Sequence, residues 1–338
     1  AFVSERDDNP EIYLMNADGS DQRNLTRNEA VDAAPAWAPD GNRIAFLSDR
    51  TGEFQLYVID LEGAQSPTIQ QVTHFSGIMP PDSAGSLQWS PDGRQMVIYR
   101  VKEDEGFATR LYLVNLADSR GESLFQEPGE FQGDTNAAWS PDGTRVAFQR
   151  FAQRASWLYL AELSSGEARP VERNSGWASA WSPDSASLAF VVGSTVRVLD
   201  LREQSTRVIQ ALPPPSSFLR IAWSPDGARL VASYVSNLTS VERLSLFWSD
   251  GSGLTQLTHP VLQEMMRTTG PVWSSDSRWL AFYTESLAPM PTAGVVYETT
   301  TLRDIFVLNI EQAYSQPDSL QPVRLTNTGK DYSPQWQP

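Results

Sequence analysis

Three aspartates hold one position in a recurring pattern. Asp32, Asp134 and Asp331 each stand five residues before a tryptophan: Trp37, Trp139 and Trp336. Carboxylates that converge near a channel can hold a cation or a basic side chain of a partner; the competing reading is a turn residue bonding its local backbone. The matching positions elsewhere are Ala84, Gly176, Phe218 and Thr268. Trp177, Arg220 and Arg267 fall near the same point of the pattern. A tryptophan outside the repeat position, together with arginine, has the composition of interface hot spots, against which stand ordinary packing and solvated charge. The only histidines, His74 and His259, each follow a threonine in equivalent places. They belong to different units, so the repeat explains them better than a shared metal. No G-x-S-x-G elbow and no phosphate-cradling glycine loop is present, and no residue is therefore assigned a catalytic role.

These residues must be positioned by the repeat itself. Trp139-Ser140-Pro141-Asp142-Gly143 is followed by Arg145-Val146-Ala147-Phe148. Related runs begin at Trp37, Trp89, Trp181, Trp223 and Trp273, with spacings from 42 to 52 residues. Proline presets φ at a turn corner, serine and aspartate bond the turn's own backbone, and glycine accepts positive φ. An aromatic before such a turn and an apolar run after it make a β-hairpin. Strands such as Gln55-Leu56-Tyr57-Val58-Ile59 and a closing Leu-Thr then follow. Four short strands in a period of about 40–50 residues are the mark of a propeller blade.

The start of the chain lacks the tryptophan strand and its end supplies one. Pro334-Gln335-Trp336-Gln337-Pro338 matches Pro35-Ala36-Trp37-Ala38-Pro39. The expected fold is all-β: a seven-bladed β-propeller of four-stranded antiparallel blades over residues 1–338, one domain. Residues 1–28 plus 331–338 would form the first blade, which Trp336 closes; closure removes exposed sheet edges.

The pattern resembles the TolB-like β-propeller repeats, relatives of the WD-type propellers. The resemblance rests on the Trp-Ser-Pro-Asp-Gly turns, the Ala-Phe after them, strands such as Leu56-Tyr57-Val58-Ile59 and the closing Leu-Thr. It covers essentially the whole chain and is specific for fold, not function. Similar repeats occur beside peptidase domains, in sensor proteins and in cell-envelope assemblies. Some are metal-dependent polysaccharide lyases, but that likeness implies several histidines, and this chain has two. Ser185, Ser275 and Ser277 depart from the turn pattern.

A formal net charge of −15 argues against nucleic acid and anionic membrane surfaces as partners. No apolar run has the length of a membrane span. Without cysteine there are no disulfides or thiolate metal sites. In alternating strands the Trp-Ser-Pro-Asp-Gly turns share one face. The loops that enter each tryptophan strand, and those between second and third strands, share the other, which becomes the candidate binding face. The expected function is a non-catalytic scaffold holding a protein or peptide there, exported, with no cofactor beyond a cation at the channel mouth. The alternatives are an accessory propeller of a larger peptidase or sensor, and a polysaccharide lyase. The insertions Ser286 to Thr300 and Ala313 to Gln321 break the period, and the first is expected to rise over the candidate face. Asn24-Leu25-Thr26 and Asn237-Leu238-Thr239 match the glycosylation sequon, the first coinciding with the repeat's own Leu-Thr.

Overall fold

The computed structural model describes residues 1–62, 67–80, 87–101, 108–125, 131–152, 155–211, 216–236, 242–257, 267–287, 301–315 and 322–338. Among them the fold is all-β, with one short helix, Ile310–Ser315, where the sequence suggested an insertion. That helix buries Ile310 and Ala313.

The unit after the first turn shows the pattern. Asp32–Trp37, Arg43–Ser48, Gln55–Asp60 and Thr68–Gln71 pair antiparallel in chain order as one four-stranded sheet. The same order recurs in the sheets that begin at Ser179–Trp181, Ser216–Trp223 and Arg267–Trp273. The chain's two ends share a further sheet. Asp331–Tyr332 lies antiparallel to Phe2–Ser4, with Val3 opposite Tyr332 and Ser4 opposite Asp331. Ala1 and Gln335 exchange two backbone hydrogen bonds of 2.8 Å. The laddered part of the tail is thus Asp331–Tyr332, four to five residues ahead of Trp336.

Between Gln88 and Arg173 eight strands join in a single sheet. One parallel pairing, Thr109 with Gly133, links its two halves. Where the sequence suggested seven separate sheets, the described strands therefore form six.

The Ala-Phe pair in each motif has a packing cause. Successive side chains of a strand point to opposite faces. Phe46 packs with Val3 and Ile12 of the preceding sheet, while Ala45 packs with Trp89, Met96 and Ile98 of the following one. Ala189 and Phe190 divide in the same way. The core is a series of layers between neighbouring sheets. Phe2 and Tyr13 also pack on Ile305 of the last sheet. Phe2, Phe46, Phe148, Phe190 and Phe282 are fully buried, each worth about 2 kcal/mol of hydrophobic stabilisation.

The turns are locked by their own side chains. Ser140 Oγ donates to Asp142 Oδ1 at 2.6 Å and accepts the Arg145 N–H at 2.9 Å. Asp142 Oδ1 also accepts the Thr144 N–H at 3.0 Å, and Gly143 sits at φ +72°. At the other end of the unit, the Leu-Thr threonine ties the outer strand to its neighbour. Thr73 Oγ1 donates to Gln55 Oε1 at 2.7 Å and accepts the Leu56 N–H at 2.8 Å. Thr26 makes the same two bonds to Glu11 and Ile12 and is buried, which accounts for that sequon as part of the repeat.

Candidate functional site

The three aspartates are buried, and each is closed off by an arginine of its own sheet. Asp32 takes Arg50 Nη2 on both oxygens at 3.0 Å, along with the Asn28 amide. Asp134 takes Arg150 Nε at 2.7 Å and Nη2 at 3.0 Å. Asp331 takes Arg6 Nη2 at 2.8 Å and Thr328 Oγ1 at 2.6 Å. Each guanidinium also lies over two rings. Arg6 covers Phe2 and Tyr13, Arg50 covers Phe46 and Tyr57, and Arg150 covers Phe148 and Tyr159, at 4.6–5.6 Å from the ring centroids. Charge-assisted hydrogen bonds and cation–π contact both favour this arrangement.

At each of Asp32, Asp134 and Asp331 a basic side chain is supplied from within the chain. Their negative charge is matched on the spot, and a cation would have to displace an arginine to reach it. Among the described residues no three of His, Asp and Glu gather as metal ligands. Around Tyr13 a further carboxylate joins the clamp. Burial, then the hydrogen bond to Asp7, pushes the Tyr13 hydroxyl up to about 12. The same bond holds Asp7 below the usual carboxylate range.

Strand irregularities follow two of these aspartates. The register slips between Ala33 and Ala36, and again between Thr135 and Ala138. Ala34 and Asn136 take positive φ there, +54° and +49°. A bulge bends a strand and re-aims its side chains.

At the Asp134 clamp the strand ends open into a pocket of about 220 Å³. Thr109, Thr135, Gln149, Arg150, Phe151 and Trp177 line it. Thr109 and Phe151 lie near strand ends and Trp177 in a loop, away from the Trp-Ser-Pro-Asp-Gly turn between Trp139 and Arg145, while Thr135 and Gln149 face each other within the paired strands. Trp177 is 62% exposed and Phe151 37%. Gln149, by contrast, is 3% exposed. Its Oε1 accepts from Ser175 Oγ at 2.7 Å, and its Nε2 is buried with no hydrogen-bond partner among the described residues.

The structure thus brings Trp177 and Asp134 to one place. Arg220 is exposed in the strand Ser216–Trp223, beside a register shift between Phe218 and Arg220. Arg267 opens the strand Arg267–Trp273 opposite Glu285; its side chain lies outside the described residues. His74 is exposed on the second unit, whereas His259, residues 288–300 of the expected recognition loop and Asn237-Leu238-Thr239 lie outside the described residues. Sequence reasoning missed Gln149 and Arg150. Their signal was present in the run Phe148-Gln149-Arg150, where two polar residues replace apolar ones at the end of a core strand.

The family model described as the TolB beta propeller domain (PD40) matches residues 1–83. Protein TolB homolog of Chlorobium luteolum is 26% identical over 168 residues, 50% of this chain and 35% of that protein. Uncharacterized peptidase YuxL of Bacillus subtilis is 29% identical over 174 residues, 50% of this chain and 23% of the peptidase. The match spans less than half the length of these curated relatives. Among solved structures, an oligogalacturonate lyase in complex with manganese superposes with a TM-score of 0.65 at 15% identity. It covers 89% of this chain and 82% of the lyase, a likeness of fold.

Proposed function

We propose that this chain, a TolB-like β-propeller, is a non-catalytic scaffold that holds a protein or peptide on the rim carrying Trp177 and Arg220. The observation that carries the reading is the Trp177 pocket, an aromatic-walled recess set on paired strands. An exposed tryptophan at a formed recess is a usual anchor of recognition, and Arg220 adds an exposed arginine on the strand Ser216–Trp223.

The reading includes a closed ring of seven blades in one domain. Its support is the pairing of Asp331–Tyr332 with Phe2–Ser4 and the contact of Phe2 with Ile305. The single Thr109–Gly133 bridge lets the eight-stranded sheet count as two blades. The reading also includes export from the cytoplasm, which the likeness to a TolB homolog favours. Among the described residues no helix is long and apolar enough to cross a membrane.

Capture from a native lysate tests it. The doubly substituted Trp177→Ala/Arg220→Ala chain should lose a partner that the wild type and a turn-face variant, Asp92→Asn, both retain. Equal capture by all three chains would refute the assignment of the rim.

A second reading, an accessory propeller of a larger peptidase, is favoured by the match to YuxL, of which this chain spans 23%. Sequencing the full reading frame tests it: a hydrolase domain in the same polypeptide supports it, and the absence of one ends it.

A further inference from the structure

The geometry points to the Gln149 pocket as a subsite for one neutral, carbonyl-bearing residue of an extended peptide, an inference that rests on the scaffold reading above. Three observations fix the chemistry.

The first is the unpartnered donor. Gln149 Nε2 is buried without a hydrogen-bond partner among the described residues while Oε1 is occupied by Ser175 Oγ. A buried polar group left without a partner carries a desolvation penalty, so an incoming acceptor relieves an existing cost. The second is charge. Arg150 is matched by Asp134 at 2.7 and 3.0 Å and lies over the rings of Phe148 and Tyr159, so the recess carries a compensated ion pair. The chain as a whole carries −15. Neither feature attracts an anion, which makes an amide carbonyl a better fit than a carboxylate. The third is the wall. Trp177 and Phe151 present ring surface to solvent at the mouth, where the apolar body of a side chain gains contact.

The size agrees. At about 220 Å³ the recess is below the roughly 300–1,000 Å³ of a drug-sized site and takes one residue, with the flanking backbone on the rim. A saccharide fits the donors and acceptors less well, because its hydroxyls need acceptors. The Asp134 carboxylate faces Arg150, Ser175 Oγ is directed at Gln149, and Ser156 Oγ donates to Ser175 O at 2.6 Å.

The test is selection of a random peptide library on the intact chain, followed by titration of the enriched peptides against three proteins. Gln149→Glu keeps shape and the Ser175 bond but turns the free donor into an acceptor. Trp177→Ala removes the exposed wall and touches little else, which keeps the test usable if Gln149→Glu fails to fold. Each substitution is expected to weaken the selected peptides roughly tenfold or more. Peptides that bind all three proteins equally overturn the subsite and leave the scaffold reading standing. A library that yields no binder, or an oligogalacturonate that binds where peptides do not, overturns both.

Discussion

Arg150 and Asp134 face each other across paired strands, joined by two hydrogen bonds, with both side chains 3% exposed. Arg50 on Asp32 and Arg6 on Asp331 repeat the contact, but there the arginine side chains are 24% and 22% exposed. Removing one partner of a buried pair leaves a charge that water cannot reach, a loss of about 3–5 kcal/mol. Asp134→Ala should therefore be the most damaging of the three aspartate substitutions. Asp32→Ala and Asp331→Ala should cost roughly 1–3 kcal/mol, since their arginines can turn toward solvent. Urea unfolding ranks them; equal losses at all three sites would show that burial of the arginine does not set the cost.

The repeat tryptophans link neighbouring units unequally. Trp181 Nε1 donates to the Ala138 carbonyl at 3.0 Å, and Trp89, Trp223 and Trp273 make the matching bond to the preceding unit. Trp139 Nε1 is buried without a partner among the described residues. Phenylalanine in place of either tryptophan loses ring area alike, so the difference between them isolates the bond. Trp181→Phe should destabilise by about 1 kcal/mol more than Trp139→Phe. Paired thermal melts read that gap, and a zero or reversed difference would remove the indole bond from the account.

The turns and the order of strands were legible because local chemistry writes them. Ser140, Asp142 and Gly143 bond within five residues of one another, so their spacing is visible in the sequence. Phe46 and Ala45 could be read as core because a strand between two sheets is apolar on both faces. The arginine clamps were not legible. Arg6 and Arg50 lie four residues after their phenylalanines and Arg150 only two after Phe148, so no fixed spacing marks them. The partnership forms across paired strands, as where Asp134 lies opposite Arg150, and pairing of that kind is not written in local spacing. Gln149 was hidden for a related reason: its empty hydrogen-bonding position depends on Ser175, 26 residues away.

Serine in place of the turn glycine has a structural counterpart. Ser185 and Ser277 take φ of +59° and +60°. Their hydroxyls accept the backbone N–H of Asp142 and Asp226 from the preceding unit, at 2.9 and 3.0 Å. Positive φ costs a non-glycine residue of order 1 kcal/mol, and the bond between units offsets about as much. Ser277→Gly should therefore be close to neutral, relieving the backbone while losing the bond. Ser277→Ala keeps the strain and loses the bond, and should be destabilised by about 1 kcal/mol. Chemical unfolding of the two variants separates these terms; an alanine variant as stable as wild type would mean the hydroxyl contributes nothing.

The same turns set a dependence on acid. The Ser182 hydroxyl, followed by the Ala186 N–H, holds Asp184 below its ordinary value of 3.8, and Ser90 and Ser274 act alike on Asp92 and Asp276. A carboxylate whose folded value is depressed stabilises the fold above the unfolded value, and that contribution is lost as pH falls through the folded one. The loss here begins near 3.8 and proceeds downward. Asp184→Asn cannot titrate, so it should be less stable than wild type at neutral pH and should approach it as pH drops below 3.8. The side chain is largely solvated, which keeps the single-site effect small, so substituting Asp92, Asp184 and Asp276 together gives the clearer reading. Stability curves measured from pH 7 to pH 3 should converge at the acid end, and curves that stay parallel would show that these turns do not carry the acid sensitivity of the fold.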